Sequence, residues 1–424
     1  MCSVIILMLE ILIKAFLNNI ISQGAVEVID VVGIILFSIA FVFDIEKYKR
    51  LHIFKIPLII GYFERIAIMF LDIYGRSLII LPNSGSDTEV YYYNSIHYAD
   101  GVYVQNSFSR LMGTIMKLIG TSRLYNQFII LLFSVLTLLV FSRITYELNC
   151  IEYNKMLVFT IVCILPNYAI LSSIFLRESL ITLFITLSVY MIHLWITRNI
   201  WRYYGFALIF TLAASWLHGG SAAIIIGYIA VLMLYDRKND RFRFTLKNVL
   251  PTVLIILVFS FLFINYSSTL FTKLSGVNSV SDIADNKVRG GSSYAAYVGD
   301  SSKPINLLIY TVPRILYFLF SPFPWQWRGI SDIIAALFSS MFYLITIIYS
   351  IKYILSRNNK NRSIVISYTI VAVCNAFVYA WGVTNVGTAV RHRDKVVILW
   401  ALLLMLTYSY RKVIIKGKSN RRIL

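Results

Sequence analysis

Long, nearly continuous apolar runs separated by short polar segments make up most of the chain. A run of roughly 20 apolar residues can cross a hydrocarbon layer of about 30 Å. The crossings predicted on this basis are Ser3–Ile21, Ala25–Phe43, Ile56–Leu81, Leu124–Ile144, Met156–Ile174, Ser179–Ile196, Tyr204–Leu217, Ser221–Tyr235, Val249–Phe271, Ile330–Ile351, Ser363–Trp381 and Val396–Tyr410. With no water in a bilayer to satisfy backbone groups, such segments fold as helices. A transmembrane barrel would alternate apolar and polar residues, and these runs do not alternate. The predicted fold class is all-α, a polytopic membrane helical bundle of about 12 transmembrane helices. Pro304–Trp327 is also apolar but is broken by Pro313, Arg314, Pro322 and Pro324, so it is expected to be a re-entrant or surface-lying external segment. The first run lacks a basic n-region and a small-residue cleavage site, which argues against a signal peptide. Within it Glu10 and Lys14 stand one turn apart, close enough for an i,i+4 pair.

Composition agrees with a membrane chain. Of 424 residues 58% are hydrophobic and only 14% charged, about half the charged fraction usual in soluble domains. Mean hydropathy is +0.74. The net charge of +19 does not point to nucleic acid, because positive charge in a polytopic chain collects in cytoplasmic loops. Cys2, Cys150, Cys163 and Cys374 are scattered without a C-x-x-C pair or histidine at metal spacing, so neither a disulfide framework nor a metal site is expected.

Lys and Arg set the sidedness. Asp44–Lys55, Arg198–Arg202, Asp236–Lys247, Lys352–Arg362 and Arg411–Arg422 are short and rich in them, whereas Pro82–Ser109 carries none before Ser109 and includes Asp87, Glu89 and Asp100. Placing the basic segments in the cytoplasm puts both termini inside, provided Pro304–Trp327 does not cross. The expectation is one integral membrane domain over residues 1–424, with an external acidic loop at 82–109 and a long external loop at 272–329.

The short polar motifs then fall on the external side. Asp87 and Glu89 follow a Gly/Ser turn and precede three tyrosines; carboxylates beside aromatic rings suit sugar hydroxyls and could act as general base. Ordinary solvated loop acids are the alternative. Arg177-Glu178 is either a self-neutralising pair at headgroup level or a phosphate contact oriented by Glu178. His218, ahead of Gly219-Gly220, can exchange a proton near neutral pH or simply end a helix. Arg289 with Gly290-Gly291 could form an anion-binding nest or a flexible linker. Arg314 interrupts an apolar run, where a cation is expected to face a cavity or an anion. Arg328 adjoins Trp325 and Trp327, which suit either interfacial anchoring or sugar stacking. Arg391-His392-Arg393 is the densest external basic motif and matches a lipid phosphate or diphosphate, with general attraction to headgroups as the alternative. Asp72 and Arg76 are one turn apart, with Glu64 and Arg65 deeper in the same helix, and these are expected to turn inward as paired charges. No P-loop, GxGxxG or metal-ligand cluster indicates a nucleotide-using or cofactor-dependent enzyme, so no cofactor is implied.

On Arg177, Arg289, Arg314 and Arg391-His392-Arg393, set in external loops of a multi-span chain, the sequence resembles bacterial O-antigen and capsular polysaccharide polymerases. The resemblance implies that a hydroxyl of an incoming lipid-linked repeat unit attacks the anomeric carbon of a growing chain. Polyprenyl diphosphate then leaves, with Arg314, Arg391 and Arg393 stabilising it and Asp87 or His218 taking the proton. It also implies the bacterial cytoplasmic membrane as location, the lipid-linked glycan and the bilayer as partners, and a chain-length regulator protein as a further one. Asp87 or Glu89 in an external loop is likewise similar to the acidic hallmark of the GT-C glycosyltransferases, which use polyprenyl-phosphate sugar donors. A lipid-linked oligosaccharide flippase ranks third, because transporters hold their charges near the midplane and carry repeats. The polymerase reading places Asp87, His218, Arg314 and Arg391 around one outward cavity.

Overall fold

The computed structural model describes residues 2–17, 23–236, 239–255, 304–356, 361–383 and 385–420. The expected crossing Val249–Phe271 is therefore described only as far as Ile255, and Arg289 lies outside the described residues.

Among the described residues the chain is all-α apart from one two-residue strand pair, Tyr235–Asp236 against Arg241–Phe242. Five helices are long and apolar enough to cross a membrane: α2 (Gln23–Lys47), α6 (Arg123–Glu147), α9 (Glu178–Arg198), α14 (Ile330–Leu355) and α15 (Arg362–Gly382). Helices α7 (Glu152–Cys163) and α8 (Pro166–Ser173) meet at a bend of 52° and add a sixth if they form one span. The described residues hold further helices. They are α1 (Cys2–Leu17), α3 (Lys55–Tyr74), α4 (Ser86–Ala99), α5 (Ser107–Ile119), α10 (Trp201–Leu217), α11 (Ala223–Leu234), α12 (Leu246–Ile255), α13 (Pro304–Phe320), α16 (Val386–Asp394) and α17 (Val397–Asn420).

Two segments differ from the apolar pattern. The run Ile56–Leu81 does not continue as helix beyond Tyr74; at Gly75 the chain turns, with the N–H groups of Leu78 and Ile79 bonded to the Gly75 carbonyl. The stretch 82–109 and the residues after it are not a plain loop but hold α4 and α5. Phe108, Met112, Met116 and Ile119 recur at helical spacing and form the buried face of α5. Asn106 caps that helix by accepting from the Ser109 N–H. Gly113 lets α5 lie against α4, for a Cβ there would stand 2.5 Å from the Ser95 carbonyl oxygen.

The described helices divide into two compact units, one formed by 1–146 with 159–183 and the other by 147–158 with 184–424. In the first, α1 pairs with α2, α3 with α8 and α4 with α5. Its buried charges are tied down individually. Lys14 is ion-paired with Asp30, and Tyr125 donates to Glu10 at 3.1 Å. Arg65, fully buried, donates to the carbonyls of Gly61 and Cys163 at 2.8 Å each and to the Ser172 hydroxyl at 3.0 Å. Pro166 has no N–H to continue the helix across the α7–α8 break, and Arg65 supplies hydrogen bonds to both sides of it. In the second unit α15 is central, packing against α11, α13, α14 and α17.

Candidate functional site

Each unit holds a cluster of the side chains singled out in the sequence. In the first, Glu89 is half-buried and ion-paired with Arg76 at 2.6 Å and Arg123 at 3.3 Å. Asp72 joins the same network, accepting from Ser84 Oγ, from Gln127 Nε2 at 2.9 Å and from Arg76 at 3.4 Å. Arg123 also lies over the Tyr92 and Phe175 rings. The two carboxylates and two guanidiniums balance one another, so Glu89 is held as part of an ion network. Asp87, two residues before it in the same first turn of α4, is exposed. Arg177 is half-buried, with its guanidinium 5.7 Å from the Tyr91 ring centroid.

In the second unit the structure joins two motifs that are far apart in sequence. His218 sits where α10 ends in extended backbone, and a 3-10 turn of Gly219–Ala222 follows. Asn385 caps α16 by accepting from the Thr388 N–H, which sets the direction of the Arg391-His392-Arg393 turn. The His218 and His392 rings meet edge to face at 4.7 Å between centroids. Tyr379 of α15 packs against both, 4.9 Å from the His392 ring and with its hydroxyl 3.4 Å from His218 Nδ1. Lys395 closes the cluster from one turn further along, with Nζ 2.8 Å from His392 Nδ1.

Successive residues on a helix point about 100° apart, so the three members of the basic motif part company. Arg391 and His392 are half-buried, whereas Arg393 is fully buried. Its guanidinium donates to the carbonyls of Leu319 at 2.8 Å and Ser321 at 2.6 Å, and to Ser339 Oγ at 3.0 Å. It thus satisfies the C-terminal carbonyls of α13. Ser339 stands in a π-helical stretch, Ala335–Ser340, within α14. Asp394 accepts from the Tyr343 hydroxyl at 3.0 Å and from Ser339 at 3.4 Å. Burial pushes its carboxyl up to about 6, against the opposing pull of Arg393 and of the Tyr343 and Ser339 hydrogen bonds.

Arg314 is buried on α13, over the Trp381 ring at 4.2 Å and donating to the Trp381 carbonyl at 3.3 Å. One turn along α13, Phe318 stacks on Tyr379, so Arg314 lies one helical turn from the histidine cluster. Arg328 is exposed, and its backbone N–H bonds to Asp332 at the start of α14. His218, Arg391 and His392 therefore gather in the second unit with Arg314 close by, while Asp87, Glu89 and Arg177 belong to the first. Sequence reading missed Lys395 and Tyr379. The only signal for Lys395 was its i+3 spacing from His392, and nothing in the sequence marked Tyr379 among 29 tyrosines.

The arrangement offers imidazoles, an ammonium and a phenol hydroxyl at close range, next to a half-buried arginine. It can move a proton and hold an anionic group. The helices define an all-α protein with segments long enough to cross a membrane. Comparison with protein-family models, with curated protein sequences and with solved structures gives no match.

Proposed function

We propose that the protein polymerises polyprenyl-diphosphate-linked oligosaccharide repeat units into an O-antigen or capsular polysaccharide at the outer face of a bacterial cytoplasmic membrane. The finer topology belongs to this reading: about 12 crossings, as the apolar runs suggest, with both termini inside and 304–327 not crossing. The observation that carries it is the joining of His218 to His392, from two motifs on the predicted external side, with Lys395 and Tyr379 packed against them.

In this reaction the hydroxyl oxygen of the acceptor repeat unit bonds to the anomeric carbon of the lipid-linked chain. The bond from that carbon to the diphosphate oxygen breaks, and the hydroxyl proton passes to His218. Fixed positive charge and N–H donors serve the departing diphosphate; Arg391 and His392 fill that role. A GT-C glycosyltransferase using a polyprenyl-phosphate sugar would draw on the same groups. Purified protein in lipid is given a lipid-linked repeat unit alone. A ladder of products formed without any monosaccharide donor supports the polymerase; strict dependence on a polyprenyl-phosphate sugar overturns it in favour of the single-sugar transferase.

A further inference from the structure

The rest of the cluster raises the question of how two touching imidazoles divide their work. A lysine ammonium has three donors and no acceptor. The 2.8 Å contact between Lys395 Nζ and His392 Nδ1 therefore runs from N–H to the imidazole lone pair. Lys395 is only 1% exposed, which holds the ammonium in place. Its Nζ also lies 5.9 Å from the Tyr379 ring centroid, where the ring face favours a cation.

We infer that Lys395 is a positioning residue that fixes His392 in the tautomer with a bare Nδ1 and a proton on Nε2, so that His392 donates a hydrogen bond to a phosphoryl oxygen of the lipid diphosphate and His218 takes the proton. This rests on the proposed reading of the two histidines. A proton on Nδ1 of His392 would point at an ammonium already within hydrogen-bond distance. His218 Nδ1 stands 3.4 Å from the Tyr379 hydroxyl, and in the tautomer that directs Nδ1–H to that oxygen the lone pair is on Nε2.

Other titratable or charged groups come from each element packed against this turn. Arg391, Arg393 and Asp394 are on α16 itself, Arg314 and Tyr317 on α13, Tyr379 on α15, and His218 lies at the end of α10. Asp394 is the acid among them, and it is engaged with Tyr343 and Ser339. The 2.8 Å contact from Lys395 Nζ to His392 Nδ1 is the one through which the tautomer is selected.

The test is 15N NMR of the full chain in lipid, with labelled histidine. Five histidines keep the spectrum tractable, and His392→Asn assigns the signal. At neutral pH the wild-type His392 should show an unprotonated Nδ1 and a protonated Nε2. Lys395→Met should change the Nδ1 resonance, and Lys395→Arg, which keeps a cationic donor, should restore it. A protonated Nδ1 in the wild-type chain overturns the inference, as does a spectrum that Lys395→Met leaves unchanged. Should Lys395→Met not fold, the wild-type tautomer decides alone. The spectrum needs no substrate, so its outcome is separate from that of the polymerase assay.

Discussion

The His218 ring meets the His392 ring edge to face, 4.7 Å between centroids. What permits this is the glycine two residues after His218. A Cβ on Gly220 would stand 3.0 Å from His218 Cε1 and 3.0 Å from Tyr379 Cε1. Gly220 is therefore a packing requirement: without a side chain there, α15 can bring Tyr379 against both imidazoles.

Gly220→Ala should separate these rings. A single added methyl in such a contact costs about 1–3 kcal/mol. The expected result is a folded protein with a slightly lower melting temperature and an activity reduced roughly a hundredfold or more, the scale of a lost proton-transfer group. Unchanged ladder formation by the variant would show that the contact between the histidines is not needed.

Asp87 and Glu89 can be separated by the same assay. Asp87 is exposed, whereas Glu89 is ion-paired with both Arg76 and Arg123. Asp87→Asn should leave melting temperature and activity near those of the wild type, because the proposed reaction uses His218 as proton acceptor. Glu89→Gln should lower stability by roughly 1–3 kcal/mol, since it leaves two partly buried guanidiniums short of a counter-charge. Loss of activity in Asp87→Asn with stability intact would move the base to the first unit.

The sequence was most legible where one physical rule dominates. Continuous apolar runs made the helices predictable, because backbone groups in hydrocarbon leave no other choice. Their ends were less so: apolar residues continue through Leu78, Ile79 and Ile80, yet the helix stops at Tyr74 because Gly75 starts a turn. Helix α5 was hidden because its apolar face is only one side of a segment that also carries Ser107, Arg110 and Lys117. In the candidate site the motifs were visible but their partition was not. Adjacent arginines in Arg391-His392-Arg393 look equivalent in sequence, and only the 100° step of the helix sends Arg393 into the carbonyls of α13. Lys395 and Tyr379 gain their roles through tertiary contacts, which no local spacing encodes.

Arg65 should prove a structural cation. It bonds to two carbonyls and a hydroxyl around the α7–α8 bend. Arg65→Ala would take the side-chain donor from the Cys163 carbonyl beside the break and open a cavity, at a cost of about 2–4 kcal/mol. Arg65→Lys should recover only part of this, since one ammonium cannot span the three acceptors in the same plane. Thermal unfolding of the protein in detergent measures both; equal stability of Arg65→Ala and wild type would contradict the role.

Asp394 predicts a pH dependence with a definite sign. Its carboxyl is pushed up to about 6 in the folded chain by burial, from the ordinary 3.8. Between those values the folded state holds the proton and the unfolded state does not, so stability falls as pH rises from about 4 to 6 and levels off above. The full change is about 3 kcal/mol. Asp394→Asn stays neutral throughout and should flatten this part of the profile. A wild-type curve that rises over the same interval, and that Asp394→Asn leaves unaltered, would mean that Asp394 is not the group responsible.

Asn375 gives the last test. It lies on α15 one turn before Tyr379, is 1% exposed, and neither its amide nitrogen nor its amide oxygen has a hydrogen-bond partner among the described residues. A buried amide left unsatisfied costs about 1–3 kcal/mol, and an apolar side chain of the same shape removes that cost. Asn375→Leu keeps the branched heavy-atom skeleton while enlarging the side chain; removal of the buried amide should outweigh the tighter packing, so the variant should melt at a higher temperature than the wild type. The comparison also reports on the space beside Tyr379. If both Asn375→Leu and the smaller Asn375→Val are instead destabilised, the folded chain uses the polarity of the amide and not merely its size.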